Sequence, residues 1–201
     1  MAELPETQAS IFIKLRGEDA QLAQLSWQEF YARYAPVISA FAKRRGAQAD
    51  EADDIVQNVL LGFFKAAPDF RYDPGKGRFR SYLKTATVRA MQRHREKAAR
   101  AHVGGPALDE QRDAAPDDDP QLADDWEWAW QRAILKRALL DVRARVDSKT
   151  FAAFELTAMQ NVPVAEVAQR LSMTPEAVRQ ATSRVNRHVR ETAQQLRDRE
   201  G

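Results

Sequence analysis

One stretch of this 201-residue chain decides how the rest can fold. It opens with Val103-Gly104-Gly105-Pro106 and closes with Ala115-Pro116-Asp117-Asp118-Asp119-Pro120. Glycine and proline interrupt helices. A segment this poor in apolar side chains does not offset the entropy lost on ordering it. The chain therefore reads as two folded units, residues 26–100 and 125–201. A flexible acidic linker over 101–124 joins them, and residues 1–25 form an N-terminal extension. No internal repeat is present.

Charge follows the same division. Residues 27–100 carry 15 basic and 8 acidic side chains, and residues 131–201 carry 13 and 8. Residues 101–130 carry one basic side chain and nine acidic ones. The formal net charge of +2 hides this segregation. Two basic blocks suit a polyanionic partner, and solvated helical faces are the plainer alternative.

Several classes of function are excluded or disfavoured. With no cysteine there is no disulfide scaffold, cysteine-ligated metal or thiol nucleophile. The longest apolar run, Val59 to Phe64, is far short of the roughly 20 residues of a membrane-spanning helix. Nothing near Met1 resembles a signal peptide, so a cytoplasmic location without membrane insertion is expected. His94, His102 and His188 lack metal-ligand spacing. No glycine-rich phosphate loop or nucleophile elbow occurs. Asp117, Asp118 and Asp119 do not follow the calcium-loop pattern. The expectation is a binding protein with no catalytic residues, no metal and no cofactor.

Both folded parts read as all-α, because no stretch alternates with period two. Ser26 with Glu29 forms a possible capping box for a helix from Trp27 to Arg45, ending at Gly46, with Pro36 inside it. A second helix spans about 50–67, and a third about 78–100, after the turn Asp73-Pro74-Gly75. Beyond the linker, Asp124 or Asp125 suits the cap of a helix to Val146, and Ser148 that of a helix to Met159. Pro163 suits the first turn of a short helix ending near Leu171. Thr174-Pro175 reads as cap and first residue of a last helix.

Three helical surfaces carry the functional signal. At 100° per residue, Ile55, Val56, Val59, Leu60 and Phe63 form a core stripe. Asp54, Gln57, Asn58 and Leu61 fall opposite, with Phe64 at the margin. Apolar residues in a polar face either pack on a neighbouring helix or anchor a partner. On the third helix, Phe79, Tyr82, Leu83, Ala86 and Ala90 look like core, whereas Arg80, Lys84, Met91 and Arg95 share another arc. Thr87 and Val88 lie close to that arc. A basic helix with small apolar residues interleaved suits a nucleic-acid backbone and unstacked bases. Near the C-terminus, Val164 to Leu171, a short break and the helix from Pro175 describe a helix-turn-helix. Val178, Ala181, Thr182, Val185 and Val189 face inward there. Glu176, Arg179, Gln180, Ser183, Arg184, Arg187 and Arg190 project outward, a set able to read major-groove edges and hold phosphates. Trp126 and Trp130 share one helical face and Trp128 points elsewhere. Core packing of the second unit is the expected role of the pair, and a contact with the first unit or an inhibitory partner is the alternative.

Taken together, Asp54-Ile55-Val56-Gln57-Asn58-Val59-Leu60-Leu61, Gly77-Arg78-Phe79-Arg80-Ser81-Tyr82-Leu83 and the helix-turn-helix from Val164 to Arg190 resemble the extracytoplasmic-function sigma factors of bacteria. The resemblance covers about 26–197. It implies a region 2-like domain that clamps the β′ coiled coil of core RNA polymerase and melts the −10 element. It also implies a region 4-like domain that binds the β flap and reads the −35 element. The polymerase-binding residues would be Asp54, Gln57, Asn58, Leu61 and Phe64. The −10 set would lie in the loop 69–77 and in Arg78, Arg80, Tyr82, Lys84, Val88, Arg89, Met91 and Arg95. The −35 set would be Glu176, Arg179, Gln180, Ser183, Arg184, Arg187 and Arg190. Promoter DNA and core polymerase are the implied partners, with an anti-sigma protein a further possibility. The chain departs from the family pattern at Tyr82, Arg89, Arg93 and Ala181. A stand-alone helix-turn-helix regulator, dimerising through the face at 54–64, is the alternative reading.

Overall fold

The computed structural model describes residues 20–66, 79–103 and 120–200, and these are helical wherever they are regular. The loop 69–77, Arg78 and the glycine- and aspartate-rich part of the linker lie outside the described residues. The chain divides into two compact units, one reaching to Ala133 and the other spanning Ile134–Glu200.

In the first unit, α1 (Ala20–Arg44) presents Phe30, Tyr34, Val37, Ile38 and Phe41, all buried, at the i, i+4, i+7, i+8 and i+11 spacing of one helical face. Ser26 does not cap this helix. The good helix formers of Ala20 to Leu25 carry the helix upstream, which leaves Ser26 buried inside it. Glu29 instead pairs with Arg33 at 2.7 Å, one turn along. Pro36 is accommodated within the helix. Gly46, at a φ of 96°, ends the turn that follows, where glycine carries no steric penalty.

The second helix, α2 (Ala49–Ala66), is capped by Glu51, whose carboxylate accepts the Gln48 N–H at 2.7 Å. Its buried stripe is Ala52, Ile55, Val56, Val59, Leu60 and Phe63, as its periodicity predicts. Packed against α1 and α2 is α3 (Phe79–Val103), through Phe79, Leu83, Thr87, Ala90 and Met91. The Thr87 hydroxyl donates to the Leu83 carbonyl at 2.7 Å, so this polar group is satisfied in the core.

The next helix, α4 (Pro120–Arg145), starts at Pro120 rather than after a cap at Asp124 or Asp125. Proline at a first helical position loses no hydrogen bond. Residues 120–133 of α4 belong to the first unit and residues 134–145 to the second. Leu122, Trp126, Ala129, Trp130 and Ala133 are buried. The Trp126 ring meets Phe41 at 5.2 Å, and Trp130 meets Tyr34 at 6.1 Å. The tryptophan pair thus packs in the first unit and not, as the sequence suggested, in the core of the second. Asp125 is buried beside it and accepts from Arg44 Nε at 2.5 Å and Arg45 Nη1 at 3.2 Å. Arg44 ends α1 and Arg45 follows it, and together they neutralise the only carboxylate buried among the described residues.

The second unit contains α5 (Ser148–Phe154), which continues as one π-helical stretch over Glu155–Met159. Its cap is Asp147, one residue before the expected Ser148. The Asp147 carboxylate accepts from Thr150 N at 2.9 Å and Lys149 N at 3.3 Å, and these bonds hold its pKa below the usual carboxylate range. Then come α6 (Val164–Arg170) and α7 (Pro175–Glu200). Ala153, Val167, Ala168, Val178 and Ala181 form one core cluster, and Phe151, Phe154, Val185 and Leu196 are buried as well.

Hydrogen bonding to Arg44, supported by Arg45 and opposed by burial, depresses the Asp125 pKa. A depressed folded-state pKa stabilises the fold above the unfolded value, ~3.9, and that contribution fades as pH falls through the folded value. Asp125→Asn is expected to lower stability near neutral pH by about 1–3 kcal/mol. Its loss of stability below about pH 4 should be shallower than in the parent chain. Urea denaturation repeated across pH checks both; parallel curves would contradict the ion-pair account.

Candidate functional site

The first candidate surface is the outer face of α2. Asp54, Gln57, Asn58, Leu61 and Phe64 are all exposed, while the residues between them, Gly62 apart, are buried. Leu61 and Phe64 keep 55% and 52% of their surface in solvent, so neither is buried against a neighbouring helix, although Phe64 does meet one on its inner side. The phenyl ring of Phe64 is not loose. Trp27 of α1 meets it at 4.6 Å and also touches Phe30 and Phe63. Sequence reasoning missed Trp27, because helical spacing describes one helix and this contact joins two. Its aromatic side chain one turn before Phe30 and Tyr31 was the available hint.

The second surface is the basic helix α3, and here the structure sorts the expected residues. Tyr82, Arg89 and Arg95 are exposed and Lys84 is half-buried. Partial burial of the Tyr82 ring, beside Phe79 and Phe63, raises its pKa. Arg95 donates to the Arg45 carbonyl at 2.9 Å, beyond the C-terminal end of α1. Arg80 pairs with Glu127 and lies 4.8 Å from the Trp130 ring centroid. Arg78 lies outside the described residues. Val88 and Met91 are corrections to the sequence reading, for each is only 6% exposed and packed in the core of the first unit. Projection at 100° per residue placed them near the basic arc. A third packing direction on α3, supplied by its neighbours, turns that part of the arc inward.

The third surface is the helix-turn-helix of the second unit. The turn after α6 places Ser172 at a φ of 48°, and Met173 N donates back to the Ala168 carbonyl at 2.9 Å. The Thr174 hydroxyl caps α7 by accepting from Ala177 N at 3.1 Å, as the sequence predicts. Val178, Ala181, Val185 and Val189 are buried. Glu176, Arg179, Gln180, Ser183, Arg184, Arg187 and Arg190 are all exposed on the outer face. Glu176 accepts from Arg179 at 3.1 Å and Gln180 at 3.3 Å, which holds these side chains side by side. Beside them lies a cleft of about 630 Å³, lined by Arg179, Ser183, Asn186, Arg187 and Arg190 of α7 and by Thr157 of the π-helical stretch. Thr157 and Thr182 share a hydrogen bond of 2.8 Å that fixes one wall. Asn186, seven residues after Arg179, follows the face periodicity and belongs with this set.

No group of three or more histidine, cysteine, aspartate or glutamate side chains able to hold a metal occurs among the described residues. None of the described helices is long and apolar enough to cross a membrane.

The two kinds of residue on these faces should separate in stability measurements. Met91→Ala is expected to cost about 2–5 kcal/mol. Leu61→Ala should change stability by less than about 0.5 kcal/mol. Chemical denaturation of the two variants checks this, and equal losses would contradict the assignment.

No curated protein matches the chain. Residues 30–101, which include α2, almost all of α3 and most of α1, match the family model for sigma-70 region 2. Residues 30–101 thus carry a sigma-70 region 2 domain, which supports a sigma factor role in transcription initiation.

Proposed function

We propose that the chain is a sigma factor of the extracytoplasmic-function type, which brings core RNA polymerase to particular promoters. One observation carries the reading. Within the stretch that matches region 2, Asp54, Gln57, Asn58, Leu61 and Phe64 form one solvent-facing surface, with Phe64 braced by Trp27. Aromatic and aliphatic anchors ringed by hydrogen-bonding groups are what a protein partner grips most strongly. That partner is the β′ coiled coil of core polymerase.

DNA engages two other faces. The exposed residues of α3, Tyr82, Arg89 and Arg95, with Lys84 beside them, meet the −10 element, where a neutral phenol stacks on an unpaired base and cations hold phosphates. On α7, Glu176, Arg179, Gln180 and Ser183 lie in the first turns and meet base edges of the −35 element. Arg184, Arg187 and Arg190 follow them and take backbone phosphates. The protein supplies no bond-making chemistry; strand separation follows from binding energy spent on unstacked bases.

Co-migration of the full chain with core polymerase, followed by RNA synthesis on a genomic template library, tests the proposal. Gln57→Ala and Phe64→Ala are expected to weaken polymerase binding, Phe64→Ala by at least about tenfold, equivalent to ~1.4 kcal/mol. Arg179→Ala should leave polymerase binding intact and lower affinity for selected duplex sites by about 10–100-fold. A chain that neither co-migrates with core enzyme nor starts RNA synthesis on any template would overturn the reading.

A further inference from the structure

Helix α4 does two separable things in the first unit. Its buried residues dock it: Trp126 against Phe41, Trp130 against Tyr34, and Asp125 between Arg44 and Arg45. Its exposed shoulder does something the docking does not require. Glu127, 49% exposed, reaches Arg80 of α3, and the same guanidinium lies over the Trp130 ring. Gln131, one turn along, donates to the other Glu127 oxygen at 2.9 Å and steadies the carboxylate. Arg80 is thus held between a carboxylate and an aromatic face.

We propose that Glu127, Gln131 and Trp130 form an intramolecular latch on Arg80, in which a carboxylate occupies the place of a nucleic-acid phosphate. This rests on the reading of α3 as the −10 face. A guanidinium has a planar fork that fits a carboxylate or a phosphate, so the two compete for it. The Arg80 side chain keeps 20% of its surface in solvent, enough for an incoming phosphate to reach it once Glu127 swings away. The exposed Glu127 has room to do so while Trp126, Trp130 and Asp125 keep the helix seated. The latch raises the threshold for DNA binding by the free chain, and it opens wherever a higher density of negative charge meets α3. Glu127 keeps 49% of its surface in solvent, and water there screens the pair and limits what it adds to stability.

The test uses the full chain and a fluorescent single-stranded oligonucleotide of mixed sequence, with affinity read by anisotropy at fixed salt. Glu127→Gln is expected to tighten binding about three- to tenfold. Asp124→Asn, the same charge change on the same helix at a carboxylate that makes no ion pair with Arg80, should give a clearly smaller gain. Arg80→Ala should weaken binding and remove the gain when combined with Glu127→Gln. Equal gains from Glu127→Gln and Asp124→Asn would overturn the latch and reduce the effect to net charge. An unchanged affinity in Glu127→Gln, with Arg80→Ala still weakening binding, would overturn the latch and leave the −10 reading standing. If Arg80→Ala changes nothing, the latch falls and Arg80 leaves the −10 set. Thermal unfolding of each variant should stay within a few degrees of the parent; a large drop in Glu127→Gln would make the contact structural and overturn the proposal.

Discussion

The rings of Phe30 and Phe63 stack at 4.8 Å with their planes 10° apart, where α1 and α2 meet. Phe79 of α3 closes on both, at 5.8 and 5.3 Å, and on Tyr34 at 5.2 Å. Offset and edge-on pairs of this kind add to the stabilisation from area burial alone. The angle at which α2 leaves this cluster decides which of its residues meet solvent. Because Phe63 is fixed inside, Phe64 must emerge beside Trp27, and Leu61 must point away from the core. The outward display on α2 is a consequence of an inward lock.

Residues 120–133 of α4 extend the same aromatic layer through Trp130 and Trp126. Truncating a buried aromatic side chain costs about 3–5 kcal/mol, whereas an ion pair with one partner half in solvent contributes on the order of 1 kcal/mol. The docking of this segment and the hold on Arg80 therefore operate on different scales of free energy. The first unit can keep its shape while individual cations on its surface change partners. Trp128, left 38% exposed, is flanked by Arg44 at 4.5 Å and Arg132 at 5.3 Å, so even the outward tryptophan is covered by cations.

The second unit solves a different problem with less apolar material. One cluster of its core is built from small side chains, Ala153, Val167, Ala168, Val178 and Ala181, which lets α5, α6 and α7 approach closely, and Phe151 and Phe154 are buried as well. Hydrogen bonds then fix what bulk does not: the Asp147 cap of α5, the Thr174 cap of α7 and the Thr157–Thr182 bond. The outer face of α7 stays in solvent, with Arg179 paired to Glu176 and Arg184, Arg187 and Arg190 exposed along it.

Periodicity alone determined the helices, the buried stripe of α2, and the exposed faces of α2 and α7, because each depends on one helix and its 3.6-residue repeat. Proline and threonine chemistry likewise marked the start of α7. The sequence misplaced the tryptophan pair, the two core residues Val88 and Met91, and the caps at Ser26 and Asp125, since each depends on what a second helix brings alongside. A carboxylate at the head of a helix looks like a cap until two arginines 80 residues away claim it. An arginine on a basic arc looks free until a glutamate from another helix takes it. Local patterns are written by backbone geometry, which the sequence carries in full; the partners of buried polar and aromatic groups are chosen by packing, which exists only when the helices meet.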